Sequence, residues 1–110
     1  MQKLLFQTLL VLLLTTCLSQ LSTAHTLCVN QNGHGGCYST IAAAVANASP
    51  HDTIRVASGT YAEDVVIGKS LSLIGDDHHH PVIDASGLPN GIYIDGIDNP
   101  GLREVVVNGF

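Results

Sequence analysis

Basic residues are scarce in this chain of 110: four Lys and Arg stand against nine Asp and Glu, for a formal net charge of -5. Nucleic-acid affinity comes mainly from clustered Lys and Arg, so that balance excludes a phosphate-binding surface. Charged residues of any sign make up only 12%, yet a mean hydropathy of +0.30 and eleven glycines exclude a disordered acidic tail. The length excludes more than one small domain. No Gly-x-Ser-x-Gly, phosphate loop or Ser/His/Asp set at recognisable spacing occurs, so no familiar catalytic motif is available. Nor is there an uninterrupted apolar run of the roughly 20 residues that would cross a bilayer.

What is present begins with an address. Lys3 precedes Leu4, Leu5 and Phe6, Gln7 and Thr8 interrupt, and Leu9 to Leu14 follow before the chain turns polar. A charged start, a short apolar centre and small residues at Ser22 and Ala24 describe a secretory signal peptide over residues 1–24, cleaved after Ala24. The expected location is secreted or periplasmic, with no stable membrane insertion after cleavage. The mature chain keeps Arg55, Lys69 and Arg103 against all nine acids, a balance that favours solubility.

Cys17 leaves with the leader, and Cys28 and Cys37 remain. Between them, Gly33, Gly35 and Gly36 let the backbone fold back, so in an exported protein the pair reads as a disulfide. A metal site from Cys28, His34 and Cys37 is the alternative, but eight intervening residues do not match the short Cys-Cys spacings of zinc sites.

Ser39 is the expected N-cap of a helix of about ten residues, with Ile41, Ala44, Val45 and Ala48 on one face and Pro50 ending it. So short a helix must cover something. Six β-type runs follow, around Thr53–Val56, Asp64–Ile67, Ser70–Ile74, Pro81–Asp84, Gly91–Ile94 and Glu104–Val107. In Ile54/Val56, Leu71/Leu73, Ile92/Ile94 and Val105/Val107 the apolar residues alternate, which predicts one buried face. Tight hairpin signals are missing, which argues against a sandwich, and no helix follows Ala48 to make the crossovers of a doubly wound sheet. The fold class predicted is all-β: a right-handed parallel β-helix, or solenoid, opened by a short capping α-helix. Residues 25–50 form the N-terminal cap and residues 51–110 the first coils. About two coils are expected, fewer than solenoids generally need, so the chain reads as the N-terminal piece of a longer protein. The alternative is a complete small protein that associates end to end.

Cys37-Tyr38-Ser39-Thr40-Ile41 with Ala42-Ala43-Ala44-Val45 resembles the capping helix of the pectate-lyase-like right-handed parallel β-helix superfamily. Asp52-Thr53-Ile54-Arg55-Val56-Ala57-Ser58-Gly59-Thr60-Tyr61, then Glu63, then Leu71-Ser72-Leu73-Ile74-Gly75 is similar to the first coil of that group and to the opening of pectin methylesterases. The resemblance spans Gly33 to Phe110; Ser58 stands where Pro is common, and His78-His79-His80 is unusual in its turn. It implies a parent that acts on or binds polysaccharide, as a pectin-type lyase, hydrolase or esterase, with catalytic residues on later coils and none carried onto this chain. Two rivals remain: a non-catalytic surface or adhesion solenoid, and a periplasmic metal-handling β-helix.

Local candidates for chemistry are few. Asp76-Asp77-His78-His79-His80 groups metal-ligand types, but adjacent residues in an extended turn cannot converge on one ion, so the segment reads as a solvated turn. His25, once N-terminal, would offer copper an amine and an imidazole. Asp84, Asp95 and Asp98 are possible acid/base carboxylates but sit in turn contexts. Arg55 and Lys69 read as surface partners of nearby acids. Tyr61 is expected to pack on the first coil with its hydroxyl at the edge. Asn47-Ala48-Ser49 matches a glycosylation acceptor at a helix end. No cofactor is expected.

Overall fold

The computed structural model describes residues 23–110; the leader reading and Cys17 fall on residues outside that range, apart from Thr23 and Ala24, which are exposed. The described chain is rich in β-structure, with small parallel sheets and one short α-helix. Strand β1 (Thr26–Val29) leads through a loop containing a 3-10 turn (His34–Gly36) to helix α1 (Ile41–Asn47). Seven strands follow: β2 (Thr53–Val56), β3 (Thr60–Tyr61), β4 (Val65–Ile67), β5 (Leu71–Gly75), β6 (Val82–Ile83), β7 (Ile92–Ile94) and β8 (Val105–Asn108). They form a four-stranded sheet in the order β1-β2-β5-β8 and two pairs, β3-β6 and β4-β7. Every strand pairing among the described residues is parallel.

The register follows from the alternation in the sequence. Ile54 lies opposite Leu27 on one side and Leu73 on the other, and Val56 lies opposite Val29. Because side chains alternate between faces, this register stacks aliphatic on aliphatic along the inner face and leaves Arg55 on the outer one. Ile54, Leu73, Val65 and Ile67 are fully buried. Ile41 and Ala44 of α1 are equally inaccessible and belong to the same core, so the helix closes one end of the stacked aliphatics. At the opposite end burial thins. Ile94 and Val107 remain 46% and 39% exposed, since nothing among the described residues packs beyond β7 and β8.

Several local expectations need correction. The helix is seven residues rather than about ten, because Ala48 is already extended (ψ 149°) and hands the chain to Pro50. Its N-cap is Thr40, not Ser39: the Thr40 hydroxyl accepts from the Ala43 amide at 3.1 Å, three residues on. Strand β1 lies in a segment whose turn-rich neighbourhood masked it, and β3 has only two residues, too few for a pattern.

Lys69 does not pair with an acid at the surface. Its ammonium donates to the carbonyls of Val45, Ala46 and Ala48 at 2.8, 3.1 and 2.7 Å at the C-terminal end of α1, where the Val45 carbonyl also accepts the Ala48 amide. At the other end, Glu63 accepts from the amides of Ile41 and Ala42, both at 2.9 Å. A helix too short to persist alone is thus held at both termini by charges of the sign each terminus favours.

Candidate functional site

Cys28 and Cys37 are joined in a disulfide, with Cα atoms 4.7 Å apart. The loop they close is shaped by Asn30, whose side chain accepts from the His34 amide at 2.9 Å and donates to its carbonyl at 3.1 Å. The Tyr38 amide donates to the Cys28 carbonyl at 2.9 Å and the Asn30 amide to the Tyr38 carbonyl at 3.0 Å, so the strand-like backbone resumes beside β1. The bridge fits an oxidising compartment.

This bridge forms one wall of an open groove of about 370 Å³ on the outer side of the four-stranded sheet. The parallel register places Arg55 between Cys28 and Ile74, and the floor continues to Gly75. Asp76, Asp77 and His78 form the far side. The Arg55 side chain is exposed and no side-chain hydrogen bond ties it among the described residues. The carboxylate of Asp76 turns back on its own chain, accepting the amides of His78 at 2.8 Å and His79 at 3.1 Å. Those two bonds, His78 first, hold Asp76 below the usual carboxylate range, helped by the charges of the two imidazoles. The groove therefore offers a guanidinium, two carboxylates of which that of Asp76 is fixed, and an imidazole, groups suited to hydrogen-bonding a hydroxylated ligand.

The other candidates take structural places. His78, His79 and His80 are all exposed, and His80 Nδ1 lies 3.0 Å from the Gly109 carbonyl oxygen. Among the described residues no three His, Cys, Asp or Glu side chains group where they could hold a metal ion. Asp84 closes a turn by accepting the Ser86 hydroxyl and amide, which lower its pKa in that order. Asp95 accepts the Asp98 amide at 3.2 Å, and Asn99 donates to the Asp95 carbonyl at 2.9 Å. Tyr61 is buried, its hydroxyl donating to the Ala57 carbonyl at 2.9 Å; burial first, then the Glu63 charge, pushes its phenol upward. Among the described residues no helix is long and apolar enough to cross a membrane.

The groove itself was not legible in the sequence. Its members come from four separated stretches, and only the strand register joins them. The burial of Asp52, a residue that enters the sequence reading only within the first-coil resemblance, was also not foreseen: the residue is almost wholly buried, between α1 and β2. A lone Asp before a β-type run carries no pattern that distinguishes it from an ordinary turn residue.

The fold and groove define a class, a disulfide-tied β-rich protein of parallel sheets closed at one end by a helix. No family model matches the chain, and no curated protein or solved structure matches it.

Proposed function

We infer that the chain is the N-terminal part of an exported right-handed parallel β-helix protein of the pectate-lyase-like kind. In this reading it engages polysaccharide along the outer face of the β1-β2-β5-β8 sheet. The observation that carries it is the order of pairing: β2 pairs with β5, β3 with β6 and β4 with β7, all parallel, as expected if each circuit of chain lies on the one before. Parallel crossovers are right-handed in nearly all proteins, which supports the hand. The exposed aliphatics Ile94 and Val107 lie on strands whose free edges could accept a further circuit. The disulfide supports export.

The Arg55 groove is the binding surface in this reading, and its volume suits one or two sugar rings rather than a long polymer stretch. The test is electrophoresis of the protein through gels containing polygalacturonate, xylan or a neutral β-glucan. Retardation by at least one polymer is expected, with affinity reduced about tenfold in Arg55→Ala through loss of a charged hydrogen-bonding group. Unchanged mobility in all three gels would reject the polysaccharide reading.

A further inference from the structure

Asp52 has a buried charge and an incomplete set of partners. It is 4% exposed, and both carboxylate oxygens are met by backbone amides: Ser49 donates to Oδ2 at 2.8 Å and His25 to Oδ1 at 2.8 Å. The first contact is local; the second spans 27 residues. Amide donors stabilise the carboxylate but supply no formal charge to offset its own.

No cationic side chain is hydrogen-bonded to Asp52 among the described residues. Lys69 spends its three donors on the carbonyls of α1. The His25 ring, whose Nδ1 lies 2.8 Å from the Thr23 carbonyl oxygen in the uncleaved chain, makes no hydrogen bond to Asp52 among the described residues, and the neighbouring His51 is exposed. The His25 nitrogen, by contrast, is fixed in place. Its own residue is tied to β2 by the Thr53 amide, which donates to the His25 carbonyl at 2.9 Å, and β1 begins at the next position.

We propose that the Ala24–His25 peptide bond is hydrolysed during export and that the α-ammonium group so created on His25 becomes the counter-ion of Asp52. The proposal rests on the export reading above. An export-linked peptidase supplies the catalysis and water is the co-reactant. The carbonyl carbon of Ala24 gains the water oxygen and leaves as a carboxylate. The His25 nitrogen keeps the electron pair of the broken C–N bond and collects both protons released from water. No movement of β1 is required, because the nitrogen already lies at 2.8 Å from the acceptor. Cleavage thus converts a hydrogen bond into an ion pair at the point where the mature chain enters its sheet. With the amine so engaged, His25 loses the amine-imidazole chelate that would suit copper.

Two titrations bound the effect. Asp52 is held below its usual value of 3.8 by the His25 and Ser49 amides, with the charges of His25 and Lys69 assisting, so its stabilisation is full above that value and fades as pH falls below it. An α-ammonium with a carboxylate partner has its pKa raised, so its stabilisation is full below the ordinary α-amino range and fades as pH climbs beyond it. The mature protein is therefore most stable between these limits.

The experiment expresses the full chain in a secreting host, determines the N-terminus of the released protein by intact mass, and titrates a 15N-labelled His25 amine. A chain starting at His25 is expected, with the amine titrating above the ordinary α-amino range of about 7.7–8.0 and acylated about tenfold more slowly at pH 7.5 than in Asp52→Asn. A variant with one glycine inserted between Ala24 and His25 should return the amine to the ordinary range. If Asp52→Asn does not fold, the titration of the unaltered protein decides. A His25 start with an ordinary amine overturns the ion pair and leaves export standing. A start at another residue overturns the inference, and a retained leader overturns export as well.

Discussion

Lys69 and Glu63 sit six positions apart and reach opposite ends of one helix. Each replaces water at backbone groups that α1 cannot satisfy internally. Hydrogen bonds from charged groups contribute about 1.5–3 kcal/mol, and Lys69 is half-buried, so the lower part of that range applies. Lys69→Met should lower unfolding free energy by about 1.5 kcal/mol in urea, and salt should reduce the loss little because three short donors are fixed. A neighbouring surface acid replaced by its amide should change stability by no more than about 0.5 kcal/mol. Nothing in the sequence separates these cases, since Lys69 lies among turn residues that resemble any solvated loop. Its function depends on Val45 to Ala48, more than twenty positions earlier.

At the scale of elements, α1 and the disulfide loop show what periodicity can and cannot reveal. The buried face of Ile41, Ala44 and Val45 was readable from spacing alone, because a helix buries every third or fourth residue. The cap was not, because Ser39 and Thr40 are both good N-caps and only the observed turn selects Thr40. Thr40→Ala is therefore expected to cost about 1 kcal/mol, whereas Ser39→Ala should stay within about 0.5 kcal/mol, as measured by thermal unfolding. The Cys28–Cys37 bridge, closing a separation of nine residues, should contribute about 2–3 kcal/mol through the unfolded chain. The double Cys28→Ala, Cys37→Ala protein should lose that amount without losing far-ultraviolet signal from the strands. The strands with alternating aliphatics were legible for the same reason as the helix face. Strands β1 and β3 were not, because β1 runs into a turn-rich loop and β3 has only two residues.

Across the whole molecule, burial is graded from the helix-covered end to the β7 and β8 end. Leu73 is fully buried and lies between Ile54 and Val107. Leu73→Ala should cost about 2–5 kcal/mol, because the stacked neighbours cannot collapse into the gap. Amide hydrogen exchange should follow the same gradient: slowest in β2 and β5, which are paired on both sides, and fastest in β7 and β8, which are paired on one. Uniform protection along the chain would contradict that picture. The β-rich character and the parallel pairing were readable because missing hairpins and missing crossover helices left few alternatives. The groove was not, because a site assembled by register has no linear signature.

Gly75 has a meaning beyond its own strand. A Cβ there would collide with the backbone carbonyl oxygen of Gly109, whereas Gly96 and Gly101 meet nothing. In a library of random variants sorted for soluble expression, position 75 should remain almost invariant while positions 96 and 101 diversify freely. The protein's tolerance of inherited change is thus rationed unevenly among residues of one chemical kind, set by how near another stretch of main chain happens to pass.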